Sequence, residues 1–102
     1  MAKLVVLYNK PSNPAAFDAH YASTHAPLAK KIPGLKSYEI SSGPVSTPAG
    51  DSPYHLVAIL GFESADALRA GLESPAGQAA AGDLANFAQA GVELLMFESK
   101  DA

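Results

Sequence analysis

Tyr54-His55-Leu56-Val57-Ala58-Ile59-Leu60-Gly61-Phe62 decides the architecture of this chain. The nine residues are almost wholly apolar and rich in β-branched and aromatic types, too short for a core helix, and reached through the turn former Pro53. That combination reads as a strand. A strand with one wet face alternates apolar and polar residues; a continuous run implies burial on both faces. Downstream, Ser64 is placed to cap a short helix carrying Leu68 and Leu72, with Asp66 in its first turn favourable to the helix dipole. Ser74-Pro75 repeats the cap-then-proline signature and opens another helix, whose Ala80, Leu84, Phe87 and Ala88 share one stripe. Gly91 ends it, and Val92–Glu98 is a second apolar strand around Leu94-Leu95-Met96-Phe97. Ser99–Ala102 reads as a tail.

Upstream, Gly43 to Pro53 is rich in Pro, Gly, Ser and Thr and reads as a long surface loop. It follows a strand from Leu35 to about Ser42, with Tyr38 and Ile40 on one face. Before that strand, Pro33-Gly34 stops a helix that begins at Pro14 behind the N-cap Asn13. Phe17, Tyr21, His25 or Thr24, and Leu28 recur at spacings of three and four, the mark of an amphipathic helix. Pro27 interrupts it, so a kink or restart is expected at Thr24–Ala26. The first strand is Lys3-Leu4-Val5-Val6-Leu7-Tyr8.

The order is therefore β-α-β-β-α-β, an α+β domain of ferredoxin-like type: one four-stranded antiparallel sheet with helices on one face. Those helices cover one face only, while the strand at 54–62 and those at each end of the chain are nearly continuous apolar runs. The economical cover for the second face is the same face of a second copy, in a homodimer.

Composition fits one domain and excludes several functions. At 102 residues the chain is far short of the about 250 of an eightfold βα barrel. Its 17% charged residues fall below the usual ~25%, as expected of a surface partly reserved for a partner. A net charge of −3 with seven Lys plus Arg gives no footprint for nucleic acid or anionic lipid. With no Cys there is no disulfide, thiolate catalysis, iron–sulfur cluster or Cys-containing zinc site. The longest early apolar run, Leu4–Tyr8, is too short for a signal-peptide core or a membrane span, so a cytoplasmic, membrane-free protein is expected.

Among the side chains able to do chemistry, His25 stands out. It lies within the apolar stripe just before the Pro27 break, and two readings stand. It is a general acid or base, with an ordinary pKa of ~6.5, or a core-edge imidazole bonded to a carbonyl that the proline frees. His20 falls on the flank of the stripe, ~140° from His25 on an ideal α-helix, so the two are not expected to chelate one ion. Tyr38 either donates to a substrate carbonyl or packs with its hydroxyl at the rim. His55 faces a cavity or the dimer seam, and alternation does not decide which. Asp18, Glu39 and Asp83 read as solvent-facing charges. No carboxylate pair, nucleophile elbow or glycine-rich phosphate loop occurs, and no cofactor or metal is expected.

The segments Phe17-Asp18-Ala19-His20-Tyr21, His25-Ala26-Pro27-Leu28 and Lys31-Ile32-Pro33-Gly34-Leu35, with Tyr38, resemble the ethyl tert-butyl ether degradation (EthD) family of the dimeric α+β barrel superfamily. The motif covers Phe17 to Tyr38, and the order of elements agrees over nearly the whole chain. The resemblance implies a ferredoxin-like protomer packed sheet to sheet against its twin. The name-giving members accompany a haem monooxygenase system that opens ether fuel additives. The superfamily also holds lactone isomerases, polyketide cyclases and cofactor-free quinone-forming monooxygenases, some with a first-helix His and a second-strand Tyr lining a cavity. His25 and Tyr38 match those positions, which implies acid–base chemistry on a small apolar or aromatic molecule in a catabolic role. Phe17, Tyr21, Leu28 and His55 are then the expected ligand-binding residues. The alternative is a non-catalytic accessory or carrier that partners a monooxygenase component. Three departures separate this sequence from the better-characterised enzymes: no Cys to assist isomerisation, no Trp in the cavity, and no cluster of His for haem or metal.

Overall fold

In the computed structural model, which describes all residues Met1–Ala102, the chain runs β1 (Ala2–Asn9), α1 (Pro14–His20), a π-helical turn (Tyr21–His25), α2 (Ala26–Ala29) and β2 (Leu35–Ile40). It continues through β3 (Ser46–Thr47), β4 (Gly50–Asp51), β5 (Tyr54–Phe62), α3 (Ala65–Glu73), α4 (Pro75–Phe87) and β6 (Val92–Glu98). The main sheet has the order β2-β5-β1-β6, antiparallel throughout. The helices lie against one face, as the ferredoxin-like reading requires. The loop after β2 is not featureless, since β3 and β4 pair within it as a small hairpin.

The caps act locally as the sequence indicates. Asn13, Ser64 and Ser74 each accept a hydrogen bond from the backbone N–H three residues on, at 3.1, 3.1 and 3.0 Å. The first helix departs from its expected course. It ends at Ala29 rather than near Ile32, and its irregularity spans Tyr21–His25, where the Ala26 N–H reaches back to the Tyr21 carbonyl. Pro27 has no N–H to offer the carbonyl one turn back, and a wider i→i+5 turn just before it takes up the break.

Ala2, Leu4, Val6 and Tyr8 of β1 point into the helix layer and are buried. They join Ala58, Leu60 and Phe62 of β5 and Phe17, Tyr21, Leu68 and Phe87 of the helical segments in one core. On the opposite face, Val5 sits between Ile59 and Leu95, and Leu7 between Val57 and Glu93. No element of the chain covers that face. On that face Leu95 and Phe97 of β6 are each half exposed (50%). Single surface apolar residues are ordinary, but a contiguous band across three strands marks an interaction surface.

Gly77 fixes how closely α4 can follow α3. A Cβ there would collide with the backbone carbonyls of Gly71 and Leu72. Gly77→Ala gains helix propensity of up to ~1 kcal/mol but forces backbone apart, and overpacking of this kind typically costs 1–3 kcal/mol. The expected net result is a lower urea midpoint at unchanged slope; an unchanged or raised midpoint contradicts the packing argument.

Candidate active site

Three helical segments converge on one buried carboxylate. Asp83 sits on α4 between Ala80 and Phe87, on the face that meets the first helical segment, and is 6% exposed. Its expected role as a solvent-facing charge is therefore corrected: the apolar stripe of α4 carries it inward. His25 Nδ1 donates to Asp83 Oδ2 at 3.0 Å, and His20 Nε2 donates to the same carboxylate at 2.9 and 3.0 Å. Asn86 Nδ2 adds a donor at 3.0 Å. On an ideal α-helix His20 and His25 diverge; the wider π-turn brings residues five apart towards one side, so both reach Asp83. Phe87 underlies the pair, with its ring 5.0 Å from His20 and 4.7 Å from His25.

A carboxylate only accepts hydrogen bonds, so Asp83 fixes the proton of neutral His25 on Nδ1 and leaves the lone pair on Nε2. That nitrogen faces the hydroxyl of Tyr8, the last inward residue of β1, at 3.4 Å. Burial lowers the His25 pKa from its ordinary 6.5, against the opposing pull of Asp83. Burial alone pushes the Asp83 carboxyl up, but the donors from Asn86, His20 and His25 outweigh it and hold the group below its ordinary 3.8. Near neutral pH the pair is a neutral imidazole beside an ionised carboxylate.

Three tyrosines complete the surroundings. The Tyr21 and Tyr38 hydroxyls bond to each other at 2.5 Å, and the Tyr8 ring meets Tyr21 edge-on at 5.7 Å. Burial, reinforced by neighbouring phenols, raises Tyr8 and Tyr21 far above 10.0, and burial raises Tyr38 in the same direction. All three remain protonated donors at physiological pH.

His25, Tyr8 and Tyr38 line one apolar cavity between sheet and helices, closed otherwise by residues such as Val6, Leu60, Ala80 and Leu84. Its volume is about 50 Å³, room for a few heavy atoms and well below the ~150 Å³ of a cavity that admits benzene. Ala81 and Leu94, both exposed, form its rim between α4 and β6.

The remaining expected residues fall elsewhere. Phe17 and Tyr21 are buried in the aromatic cluster behind Tyr8, and half-buried Leu28 packs on the core; none of the three lines this cavity. His55 lies beyond Phe17 and bonds Asp18 instead. Asp18 keeps the exposure expected of it. Tyr8 and Asp83 are the members that reading the sequence missed. A signal existed for each: Tyr8 shares the parity of Leu4 and Val6, and Asp83 interrupts an otherwise apolar stripe. No group of three or more His, Asp or Glu side chains is disposed to hold a metal ion.

The site carries a pH signature. Because the His25 pKa is lower folded than unfolded, the unfolded chain binds the extra proton between pH 6.5 and the lowered value, so stability falls as pH falls through that window. Asp83 contributes in the same sense at lower pH, its stabilisation being present above 3.8 and lost as pH drops through its folded value. Thermal melts from pH 7.5 to 5 are expected to show a declining Tm, with a shallower decline in His25→Gln; equal slopes contradict a buried neutral His25.

The EthD domain family matches residues 9–91. An uncharacterized 11.0 kDa protein from the thcB–thcC intergenic region of Rhodococcus erythropolis is 40% identical over 101 residues, 98% of this chain and 96% of that protein. Among solved structures, an EthD family protein from Bacillus halodurans superposes with a TM-score of 0.90 at 34% identity, covering 98% and 99% of the two chains. SnoaB, a cofactor-independent oxygenase from Streptomyces nogalater, reaches 0.70 at 20% identity over 99% and 94%. A dimeric ferredoxin-like protein from Thermobifida fusca reaches 0.69 at 18% over 94% and 88%. The last two likenesses are likenesses of fold.

Proposed function

This chain belongs to the EthD domain family, and we propose that it acts as a homodimer on a small apolar or aromatic molecule in catabolism, with His25 as the acid–base group. One observation carries the reading: a neutral imidazole, held by buried Asp83 with its free nitrogen towards Tyr8, on the wall of an apolar cavity. The chemistry this arrangement suits is removal of a proton next to a carbonyl or lactone. His25 Nε2 takes the proton, and Tyr38 and Tyr8, which remain protonated, donate to the oxygen as it gains charge. Acid–base groups so placed contribute typically 10²–10⁴-fold. The cavity volume restricts the ligand: its carbonyl end enters beside His25, while any ring lies towards the rim at Ala81 and Leu94. The uncovered apolar face of the sheet and the dimeric ferredoxin-like neighbour support the homodimer.

Exchange tests this without knowledge of the natural substrate. Small cyclic ketones and lactones are incubated with the protein in D₂O and followed by proton NMR. Deuterium is expected to enter next to the carbonyl about 10²–10⁴-fold faster than in buffer, and His25→Ala is expected to abolish the excess. Saturable binding without exchange points instead to a carrier or an accessory of a monooxygenase. Neither binding nor exchange overturns both readings.

A further inference from the structure

Beyond Phe17, at the end of the sheet, lies a second recess that shares no lining residue with the His25 cavity. It begins with an irregularity in the ladder. Tyr8 pairs with Leu56, but the next partner of β1, Asn9, pairs with Tyr54. His55 is thus an extra residue in β5, a β-bulge. Unbroken alternation from Leu56, an inward position, puts its neighbour on the opposite face, with Val57 and Ile59. The bulge instead lets His55 reach the helix side, where its ring stands edge-on to Phe17 at 5.0 Å and Nε2 donates to Asp18 Oδ1 on α1 at 2.8 Å. Bulges disrupt local pairing and serve to re-aim a side chain. A partly exposed ion pair contributes only about 0–1 kcal/mol, so the pair by itself does not account for the break. What the bulge does accomplish is to set a His–Asp pair in the wall of a polar cleft of about 530 Å³, within the ~300–1,000 Å³ of small-molecule sites.

We propose that this cleft is a second binding site, for a small organic ammonium ion. Its polar groups define the complement. Nε2 is committed to Asp18, which leaves Nδ1 of His55 bonding nothing within the chain, and Asp18 Oδ2 is likewise unengaged. Asp51 of β4 adds a second carboxylate. Against these acceptors stand two donors, the Lys10 ammonium and the Ser41 hydroxyl, whose oxygen already accepts the Val57 N–H at 3.0 Å. Two Asp carboxylates outnumber the one Lys in the lining. A donor-rich cation satisfies that set; an anion meets repulsion. Tyr54, Leu56 and Pro14 provide an aromatic and apolar wall for its carbon skeleton.

Three probes of nearly one shape separate charge from shape: tyramine, 4-ethylphenol and 4-hydroxyphenylacetate. Each is titrated into the ¹⁵N-labelled full-length protein and followed by amide NMR. Tyramine is expected to shift the Lys10, Asp18, Asp51 and His55 amides saturably, with a Kd of about 1 mM or below and at least about tenfold tighter than the anion. Asp18→Asn and, separately, the exposed-site variant Asp51→Asn are expected to weaken tyramine about fivefold, with the His25 signals unmoved. Asp51→Asn carries the test should Asp18→Asn disturb the fold. Equal affinity for cation and anion, shifts confined to residues around the His25 cavity, or no saturable shift with tyramine overturns the proposal.

Discussion

Asp83→Ala is expected to lower stability by about 3 kcal/mol or more, a large share of what a domain of this size possesses. The substitution removes the common acceptor of His25 Nδ1, His20 Nε2 and Asn86 Nδ2. His25 is 6% exposed, so its N–H is left in an apolar environment without a partner. An unsatisfied buried donor costs about 1–3 kcal/mol, and hydrogen bonds to charged groups are worth more than neutral ones. His20, on the flank, recovers part of its share from water. For about 100 residues, 1 kcal/mol moves Tm by about 4–8 °C, so the variant is expected to melt at least about 12 °C lower. Asp83→Asn is the informative companion. Its amide still accepts one N–H but directs its own donors at the other, so the loss is intermediate and His25 is free to change tautomer. Urea unfolding reads the energy and ¹⁵N NMR of the imidazole reads the tautomer. A change below about 1 kcal/mol in the alanine variant would falsify the role of Asp83 as the hub of the site.

Val5→Asp is expected to separate the proposed homodimer while sparing the protomer fold. Val5 is half-buried on the sheet face that no helix covers, between Ile59 and Leu95. In an isolated protomer an aspartate there keeps contact with water and costs little beyond strand propensity, which spans ~1 kcal/mol. With a second copy against the same face, the carboxylate is enclosed without a cation, at a cost of several kcal/mol. In place of that penalty the natural residue gains, like its apolar neighbours, up to about 1.5–3 kcal/mol on burial. Two-fold symmetry applies the penalty twice, so dissociation is expected to strengthen by about 10³-fold or more. Sedimentation is the measurement. The natural protein is expected at twice the 10.5 kDa chain mass, the variant at 10.5 kDa with an unchanged circular dichroism spectrum. A natural protein that sediments as a single chain at micromolar concentration removes the covered-face argument.

Much of the fold is written in short-range patterns. Tyr54–Phe62 and Val92–Glu98 are strands with the very bounds the apolar runs mark, and Asn13, Ser64 and Ser74 cap the helices they precede. These features depend on a residue and its neighbours within one turn or one strand. The candidate site is legible only in part for the same reason. His25 is visible as a titratable ring on an apolar stripe, and Tyr38 as a phenol in the second strand. Their setting comes from segments remote in sequence: Asp83 is 58 residues from His25, and Tyr8 is 17 residues away on another strand.

The sequence by itself determined the order of the elements, the sheet with helices on one side, the apolar second face and the break before Pro27. Each follows from side-chain periodicity and backbone chemistry that act locally. Only the tertiary structure decided what those elements bring together. It turned an apparently exposed aspartate into the partner of two histidines, because packing of α4 on the first helical segment selects which of its side chains is enclosed. It widened the helix so that His20 and His25 meet, because a missing N–H admits more than one remedy. It also aimed His55 at Asp18, because register belongs to a pair of strands and is written in neither strand alone.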